Sequence, residues 1–205
     1  MNVTLQSIQD SNMTVIFVIF SYLLGSLSFG ILTTKFFKSG DLRNVGSGNI
    51  GATNVLRTGD KKAAILTLIL DGGKGYLALF VATSLGGPGA IPLAGLAVFL
   101  GHLFPIFHGF KGGKGVATFI GITLALNILV GLIVCLIWFF VLIAFKKSSV
   151  SALGCSLCSP ILLFFFGQQE HMFLIIILVV LLWFRHRENI QRIISKNEPS
   201  IILKK

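Results

Sequence analysis

Long apolar runs separated by short polar stretches dominate the chain. They occupy about 14–37, 63–84, 90–107, 115–126, 128–145, 149–167 and 171–185. Each is predicted to be a membrane helix, because a helix satisfies its own backbone and roughly 20 apolar residues cross the hydrocarbon core. The stretch 115–145 is ambiguous. As one helix it would run about 46 Å, too long for a core of roughly 30 Å; as two, each is short, with Asn127 at the turn. Charge parity chooses two. Lys111 and Lys114 precede the stretch, Lys146 and Lys147 follow it, and positive residues prefer one side.

Seven spans put 38–62, 108–115, 146–148 and 186–205 on one side, with every Lys and Arg that lies outside the apolar runs. The opposite side holds 1–13, 85–89, 127 and 168–170, without Lys or Arg. The expected architecture is an all-α, seven-span integral membrane bundle with short re-entering cytoplasmic loops. Its N-terminus is outside and its C-terminus cytoplasmic. Residues 1–205 read as a single transmembrane domain, since the longest polar piece, 38–62, is too short to fold alone.

Composition supports the bilayer as solvent. The chain is 54% hydrophobic and 12% charged, with a mean hydropathy of +0.90; a soluble domain carries roughly 25% charged residues. The formal charge of +10 would suggest nucleic acid in a soluble protein. Here it reads as anchoring to anionic lipid and attraction for anionic substrates, with no nucleic-acid partner. Met1–Asn12 is polar and lacks Lys and Arg, unlike a secretory signal. Cys155 and Cys158 have CxxC spacing without a redox or metal context, so they and Cys135 read as buried structural thiols. Small residues in Gly25–Gly30 and Gly86–Ala90 predict close helix approach or turns.

Three clusters carry the chemistry, all on the predicted cytoplasmic face. The first runs from Gly46 to Arg57. It fits GxGxxG, with Asp71 about 20 residues beyond Gly51, but no strand precedes it and Asp71 lies in an apolar helix, which excludes a dinucleotide fold. The glycines Gly46, Gly48 and Gly51 predict a backbone anion nest. Ser47, Asn49, Thr53 and Asn54 add polar groups and Arg57 a bidentate fork. The second cluster, Gly101–Gly115, places Lys111 and Lys114 around Gly112 and Gly113 just before a helix, a second phosphate candidate. His102 there is either a satisfied interhelical histidine or a catalytic one. In the third, His186, Asn189 and Arg192 recur at spacing three and share one helix face; Arg185 and Arg187 lie on other faces, toward lipid headgroups. Glu198 is placed to anchor the C-terminal segment through an Arg. Asp71 and Lys74 are ionisable within a span, where each costs roughly 2.5–3.5 kcal/mol to insert. They either pair or meet substrate.

Together the clusters resemble the bacterial acyl-phosphate:glycerol-3-phosphate acyltransferase family. The likeness is carried by Gly46–Arg57, Gly101–Pro105 with Phe110–Thr118, His186 with Asn189, Ile190, Arg192 and Glu198, and Asp71–Gly75. It covers roughly 25–200. The family usually has Gly two residues before the glutamate, where this chain has Lys196. The resemblance implies a seven-span enzyme of the bacterial cytoplasmic membrane with its active site on the cytoplasmic face. It would move a fatty acyl group from acyl phosphate to the 1-hydroxyl of glycerol 3-phosphate, giving lysophosphatidic acid and phosphate, the first acylation of phospholipid biosynthesis. Ser47, Asn49, Lys114, His186 and Asn189 are the implied catalytic residues. Gly46, Gly48, Gly51, Thr53, Asn54, Arg57, Lys74, Lys111, Gly112, Gly113 and Arg192 would bind substrate, and Asp71 and Glu198 would be structural. No cofactor or metal is called for, since a mixed anhydride carries its own leaving group.

The proton's acceptor stays open between His186 and a substrate phosphate oxygen. The His-x4-Asp acyltransferase class is excluded, because the fifth residue after each histidine is Phe107, Gly113, Ile176 or Gln191. The competing reading is an organic-phosphate transporter, which the intramembrane Asp71 and Lys74 would suit. Its donors, however, would have to surround a midplane site rather than gather on one face.

Overall fold

The structure, a computed structural model, describes residues 2–86 and 89–201, with the backbone alone for 2–12. Gly87 and Pro88, part of the predicted Gly86–Ala90 turn, lie outside the described residues. Ten α-helices are described: α1 (Asn2–Gly25), α2 (Phe29–Phe36), α3 (Ala52–Arg57), α4 (Lys61–Leu85), α5 (Ala90–Leu103), α6 (Val116–Leu126), α7 (Ile128–Phe145), α8 (Ser148–Phe165), α9 (Met172–Arg185) and α10 (Arg187–Ile194). Short 3-10 turns sit at Leu42–Asn44, Ile106–His108 and Gln169–His171.

Four helical stretches are long and apolar enough to cross a membrane: α4, 90–108, α7 and α8. The predicted span 14–37 is not one straight helix. Met13–Gly25 and Phe29–Phe36 meet at a 42° bend and together make a fifth candidate. At the break Ser26 Oγ donates to Tyr22 O (2.9 Å), and the freed Leu27 carbonyl accepts from Lys74 Nζ at 2.8 Å. A hydroxyl competing for the helix ladder bends it, and an inserted donor holds the bend. The α6–α7 break falls at Asn127, whose Oδ1 accepts from Val130 N (3.1 Å) and so caps α7. α6 has 11 residues, about 16 Å of helix, and is short for a span.

α4 packs along α6, α1 along α5, and α7 along α8. Glycine makes the first contact possible: a Cβ on Gly121 would strike Gly72 O, and one on Gly75 would strike Thr118 O. Thr118 Oγ1 donates to Asp71 O across the same seam (3.0 Å). Backbones this close replace the hydrophobic drive that is absent inside lipid. Gly121→Val is therefore expected to cost about 2–3 kcal/mol by overpacking, read as a lowered unfolding temperature in detergent; an unchanged temperature would place the seam elsewhere.

Phe99, Phe119, Leu79, Ile122 and Leu178 centre the interior, while Phe80, Phe140, Val180 and Phe173 face outward. This apolar exterior is what a lipid-facing surface requires. Inside it lies the Asp71–Lys74 pair, with the carboxylate 2.8 Å from the ammonium and 3.6 Å from His102 Nδ1. The ammonium also stands over the Phe29 ring. Two ionisable groups one helical turn apart neutralise each other where neither could stay alone.

Candidate active site

One end of the bundle gathers segments far apart in sequence. Thr53 Oγ1 and Ser148 Oγ lie 3.0 Å apart, Ser149 Oγ donates to Glu198 (2.7 Å), and Ile201 N donates to Lys146 O (2.8 Å). Between these segments opens a cavity of about 630 Å³. Its polar end is lined by Ser47, Asn49, Arg57, Lys114, His186 and Arg192, with Gly51, Thr53, Asn54, Asn189 and Glu198 beside them. An apolar arm continues along Leu68 and Tyr76 of α4, Ile120 and Leu124 of α6, and Trp138 and Leu142 of α7.

The first cluster builds its loop around Asn54, which is 1% exposed. Asn54 Nδ2 donates to Leu42 O (3.0 Å) and Val45 O (2.9 Å). Its Oδ1 accepts from Ser47 N at 3.2 Å and lies 3.5 Å from Arg57 Nη1. These bonds commit the side chain to holding the loop, and Asn54, expected as a substrate ligand, borders the cavity from that scaffold position. The backbone nest also needs correcting. Ser47 N bonds Asn54, and Gly48 N donates to Val45 O at 2.9 Å. Gly46 (φ 56°) and Gly48 (φ 67°) take left-handed conformations and do not line the cavity; a Cβ on Gly46 would sit 2.6 Å from Asn54 Oδ1. These glycines shape the loop, while Ser47, Asn49, Gly51, Thr53 and Arg57 face the cavity.

The second cluster divides in the same way. Gly113 N donates to His102 O (3.1 Å), and Gly112 and Gly113 O accept from Arg185 Nη2 (3.0 Å) and Nε (3.2 Å). A Cβ on Gly113 would strike His102 Nε2. Packing against α5 and α9 therefore explains these glycines, and neither lines the cavity. Lys111 is exposed on the protein surface, away from the cavity. Lys74 is buried in its pair with Asp71, and Lys74, Lys111, Gly112 and Gly113, expected as substrate contacts, all stand apart from the cavity lining. Of this cluster Lys114 faces inward, and its Nζ donates to Asn189 Oδ1.

The third cluster is held from behind. Glu198 Oε1 accepts from Asn189 Nδ2 (2.7 Å) and Oε2 from Arg192 Nε (2.8 Å). Burial raises the Glu198 carboxyl, but the hydrogen bonds from Ser149, Asn189 and Arg192 outweigh it and hold the group below its ordinary value. His186 Nδ1 is 2.8 Å from Leu182 O. A carbonyl only accepts, so Nδ1 carries the hydrogen and Nε2 keeps a lone pair. Burial pushes the imidazole down to about 4, helped by the Lys114 charge and opposed by the Leu182 hydrogen bond and Glu198. It is neutral at pH 7. Burial also pushes the Lys114 ammonium down to about 8, with Arg192 acting in the same direction and Glu198 opposing.

Three contributors escaped the sequence. Ser148 and Ser149 start α8 and hold Thr53 and Glu198; their signal is a hydroxyl pair directly after two lysines. Arg185, read as facing lipid headgroups, instead fixes the Lys114 loop and stands over Phe104. Among the described residues no three His, Cys, Asp or Glu side chains converge as metal ligands would. What the cavity offers is three cations, hydroxyl and amide groups, and an apolar arm: a container for phosphate joined to a long tail.

The comparisons with known proteins agree with that chemistry. A family model described as glycerol-3-phosphate acyltransferase matches residues 15–196. The chain is 53% identical over 181 residues to the glycerol-3-phosphate acyltransferase of Jannaschia sp. (strain CCS1), covering 88% of this chain and 89% of that one. It is 52% identical over 185 residues to that of Dinoroseobacter shibae, covering 90% and 91%. Among solved structures, PlsY (YgiH), an integral membrane glycerol 3-phosphate acyltransferase in its glycerol 3-phosphate form, superposes with a TM-score of 0.86 at 40% identity, over 91% of this chain and 94% of that one. Its lysophosphatidic acid form gives a TM-score of 0.85 at 38% identity over the same shares.

Proposed function

Because the chain belongs to the glycerol-3-phosphate acyltransferase family, we propose that its cavity transfers a fatty acyl group from acyl phosphate to the 1-hydroxyl of glycerol 3-phosphate. The protein is a membrane acyltransferase acting on glycerol 3-phosphate. The products are lysophosphatidic acid and inorganic phosphate. One observation carries the donor assignment: a single cavity joins Arg57, Lys114 and Arg192 to an apolar arm between α4, α6 and α7. A phosphorylated acyl chain has both halves of that shape.

The acyl tail lies in the arm, with Ser47 and Asn49 beside the reacting carbonyl. Lys114 neutralises the leaving phosphate, and Asn189, itself held by Glu198, aims Lys114. Arg57 and Arg192 receive the phosphate of glycerol 3-phosphate, and His186 Nε2 accepts a hydrogen bond from its 2-hydroxyl, which aims the neighbouring 1-hydroxyl and leaves that group's proton free for phosphate. The 1-hydroxyl oxygen forms a bond to the acyl carbon, the carbon–oxygen bond to phosphate breaks, and the hydroxyl proton leaves with the phosphate. A group with its conjugate acid near 4 is a poor match for a base at neutral pH. A phosphate oxygen titrating near 6 is a better one. This favours substrate phosphate as acceptor and His186 as the group that orients the hydroxyl.

We place the enzyme in the bacterial cytoplasmic membrane as a single domain crossing seven times, N-terminus outside, with the cavity mouth in the cytoplasm. Support comes from the Lys- and Arg-bearing segments 38–62, 108–115, 146–148 and 186–201, which meet at the cavity's polar end. The transporter reading drew on Asp71 and Lys74, and both are occupied by each other, by His102 and by Leu27.

Purified protein given acyl phosphate and radiolabelled glycerol 3-phosphate is expected to release lysolipid and phosphate in equal amounts; no lysolipid from acyl phosphate, with turnover from another acyl donor, overturns the donor assignment. The pH dependence of kcat/KM should fall above about pH 8 as Lys114 loses its proton. It should rise through about pH 6 as substrate phosphate becomes the dianion. Lys114→Arg moves the alkaline limb upward; an unmoved limb removes Lys114 as its source.

A further inference from the structure

A second cleft, of about 550 Å³, is built on the 3-10 turn Leu42–Asn44. Lys35 and Lys38 reach it from the end of α2, Asp41, Leu42 and Arg43 from the turn, and His108 from the end of the 90–108 stretch. Among the described residues Asp41 is the one carboxylate in the lining, and its Oδ1 is occupied by Arg43 N (3.0 Å). Among the described residues, the side chains of Lys35, Lys38 and Arg43 form no ion pair or hydrogen bond. His108 Nδ1 is buried without a partner, and the charges bearing on it are Arg43 and Lys35. Like charges gathered around a concave surface repel one another unless an anion separates them.

Lys38 sharpens the point. It stands in the left-handed region at φ 55°, where a side chain is strained and glycine would be cheap. Just before it, Phe36 is 78% exposed, and Phe107 and Phe110 flank His108 with more than half their surface bare. Aromatic and basic residues side by side are the composition of a membrane–water interface.

We propose that this cleft is a second anion site, taking a phosphate group carried either by a phospholipid headgroup or by a soluble phosphate. Arg43 supplies a planar fork for two oxygens and the two lysines point charges. His108 closes the cleft beside them. The site is distinct from the catalytic cavity but shares its scaffold: the carbonyls of Leu42 and Val45 are both held by Asn54, which also bonds Ser47 N. An anion that stiffens the Leu42–Asn44 turn thus stiffens the loop that presents Ser47. None of this depends on which acyl donor the enzyme uses.

The test is amide hydrogen exchange of the full chain in nanodiscs, followed in peptides spanning 38–45. Three conditions are compared: phosphatidylcholine alone, phosphatidylcholine with phosphatidylglycerol, and phosphatidylcholine with millimolar inorganic phosphate. Exchange should slow about threefold or more in one or both anionic conditions, and the effect should vanish in 1 M salt and in K35Q/K38Q. Both lysines are exposed, so the variant should keep its basal activity, which certifies its fold. Protection by phosphatidylglycerol alone identifies a lipid headgroup; by phosphate alone, a soluble ligand; by both, a site that reads phosphate whatever carries it. Phosphate in the catalytic cavity would protect 46–57 equally in the variant and is thereby separated. Unchanged exchange at 38–45 with both probes, or equal protection in K35Q/K38Q, overturns the proposal.

Discussion

Lys114→Met is expected to lower kcat by about 10²–10³, or about 3–4 kcal/mol of transition-state stabilisation, the usual loss when a preorganised electrostatic donor is removed from a reacting oxygen. The reason lies in how few cations reach the cavity. Lys74 is consumed by Asp71, Lys111 faces outward and Arg185 is spent on the Gly112 and Gly113 carbonyls. Lys114 gives one N–H to Asn189 Oδ1 and keeps two for substrate. Methionine keeps a slightly shorter unbranched stem and removes the charge. Fold should survive, because the loop is anchored by Arg185 and by Gly113 N to His102 O, so the unfolding temperature should hold while initial rates collapse. Lys114→Arg should retain part of the rate, since the charge persists but the bulk does not fit as well. Turnover of Lys114→Met within about threefold of wild type, against the loss expected for such a donor, would remove Lys114 from the leaving-group role.

Much of this site was legible because its residues announce themselves locally. His186, Asn189 and Arg192 at spacing three share a face once α10 begins directly after His186, and helical periodicity alone puts them there. The all-helical membrane class followed from apolar run length, and the family resemblance from the order of the motifs. What could not be read was the use to which each polar group is put. Asn54 looks like a ligand in sequence, yet its four bonding capacities go to Leu42, Val45, Ser47 and Arg57. Gly112 and Gly113 look like a phosphate loop, but they are glycine because His102 and Arg185 press on the backbone. Arg185 lies more than 70 residues away, beyond any periodicity. The bend at 26–28 was hidden for a similar reason: the serines there and Gly25 before them also suit plain close packing, and the donor that holds the break, Lys74, reaches Leu27 O from α4. Lys196 illustrates the converse. It stands where the family usually has glycine, and it adopts φ 59°. A residue other than glycine holds this left-handed turn at a cost of about 1–2 kcal/mol.

That turn delivers Glu198, and Glu198→Ala is expected to reduce kcat/KM by about 10²-fold or more. The carboxylate is the common acceptor for Ser149 Oγ, Asn189 Nδ2 and Arg192 Nε, all within 2.7–2.8 Å. Hydrogen bonds to a charged group contribute about 1.5–3 kcal/mol each, and losing three at once frees the two α10 side chains that face substrate. Asn189 matters doubly, since its other end fixes Lys114. The effect therefore reaches the leaving group through a residue that never touches it, which makes Glu198 a positioning residue. A depressed carboxylate contributes its stability above the unfolded-state value of about 4.5 and loses it as pH falls through the folded value. At neutral pH the strap is fully engaged, so the loss in the variant should be flat across the assay range, unlike the pH-dependent loss expected at Lys114. Glu198→Gln should lie between, keeping one or two acceptor bonds while leaving Arg192 without its counter-charge. The unfolding temperature should fall as well, since these hydrogen bonds and the stability of the depressed carboxylate are lost together, while the apolar interior around Phe99 and Phe119 stays intact. A Glu198→Ala enzyme with wild-type kcat/KM would show that Asn189 and Lys114 hold their places without the strap.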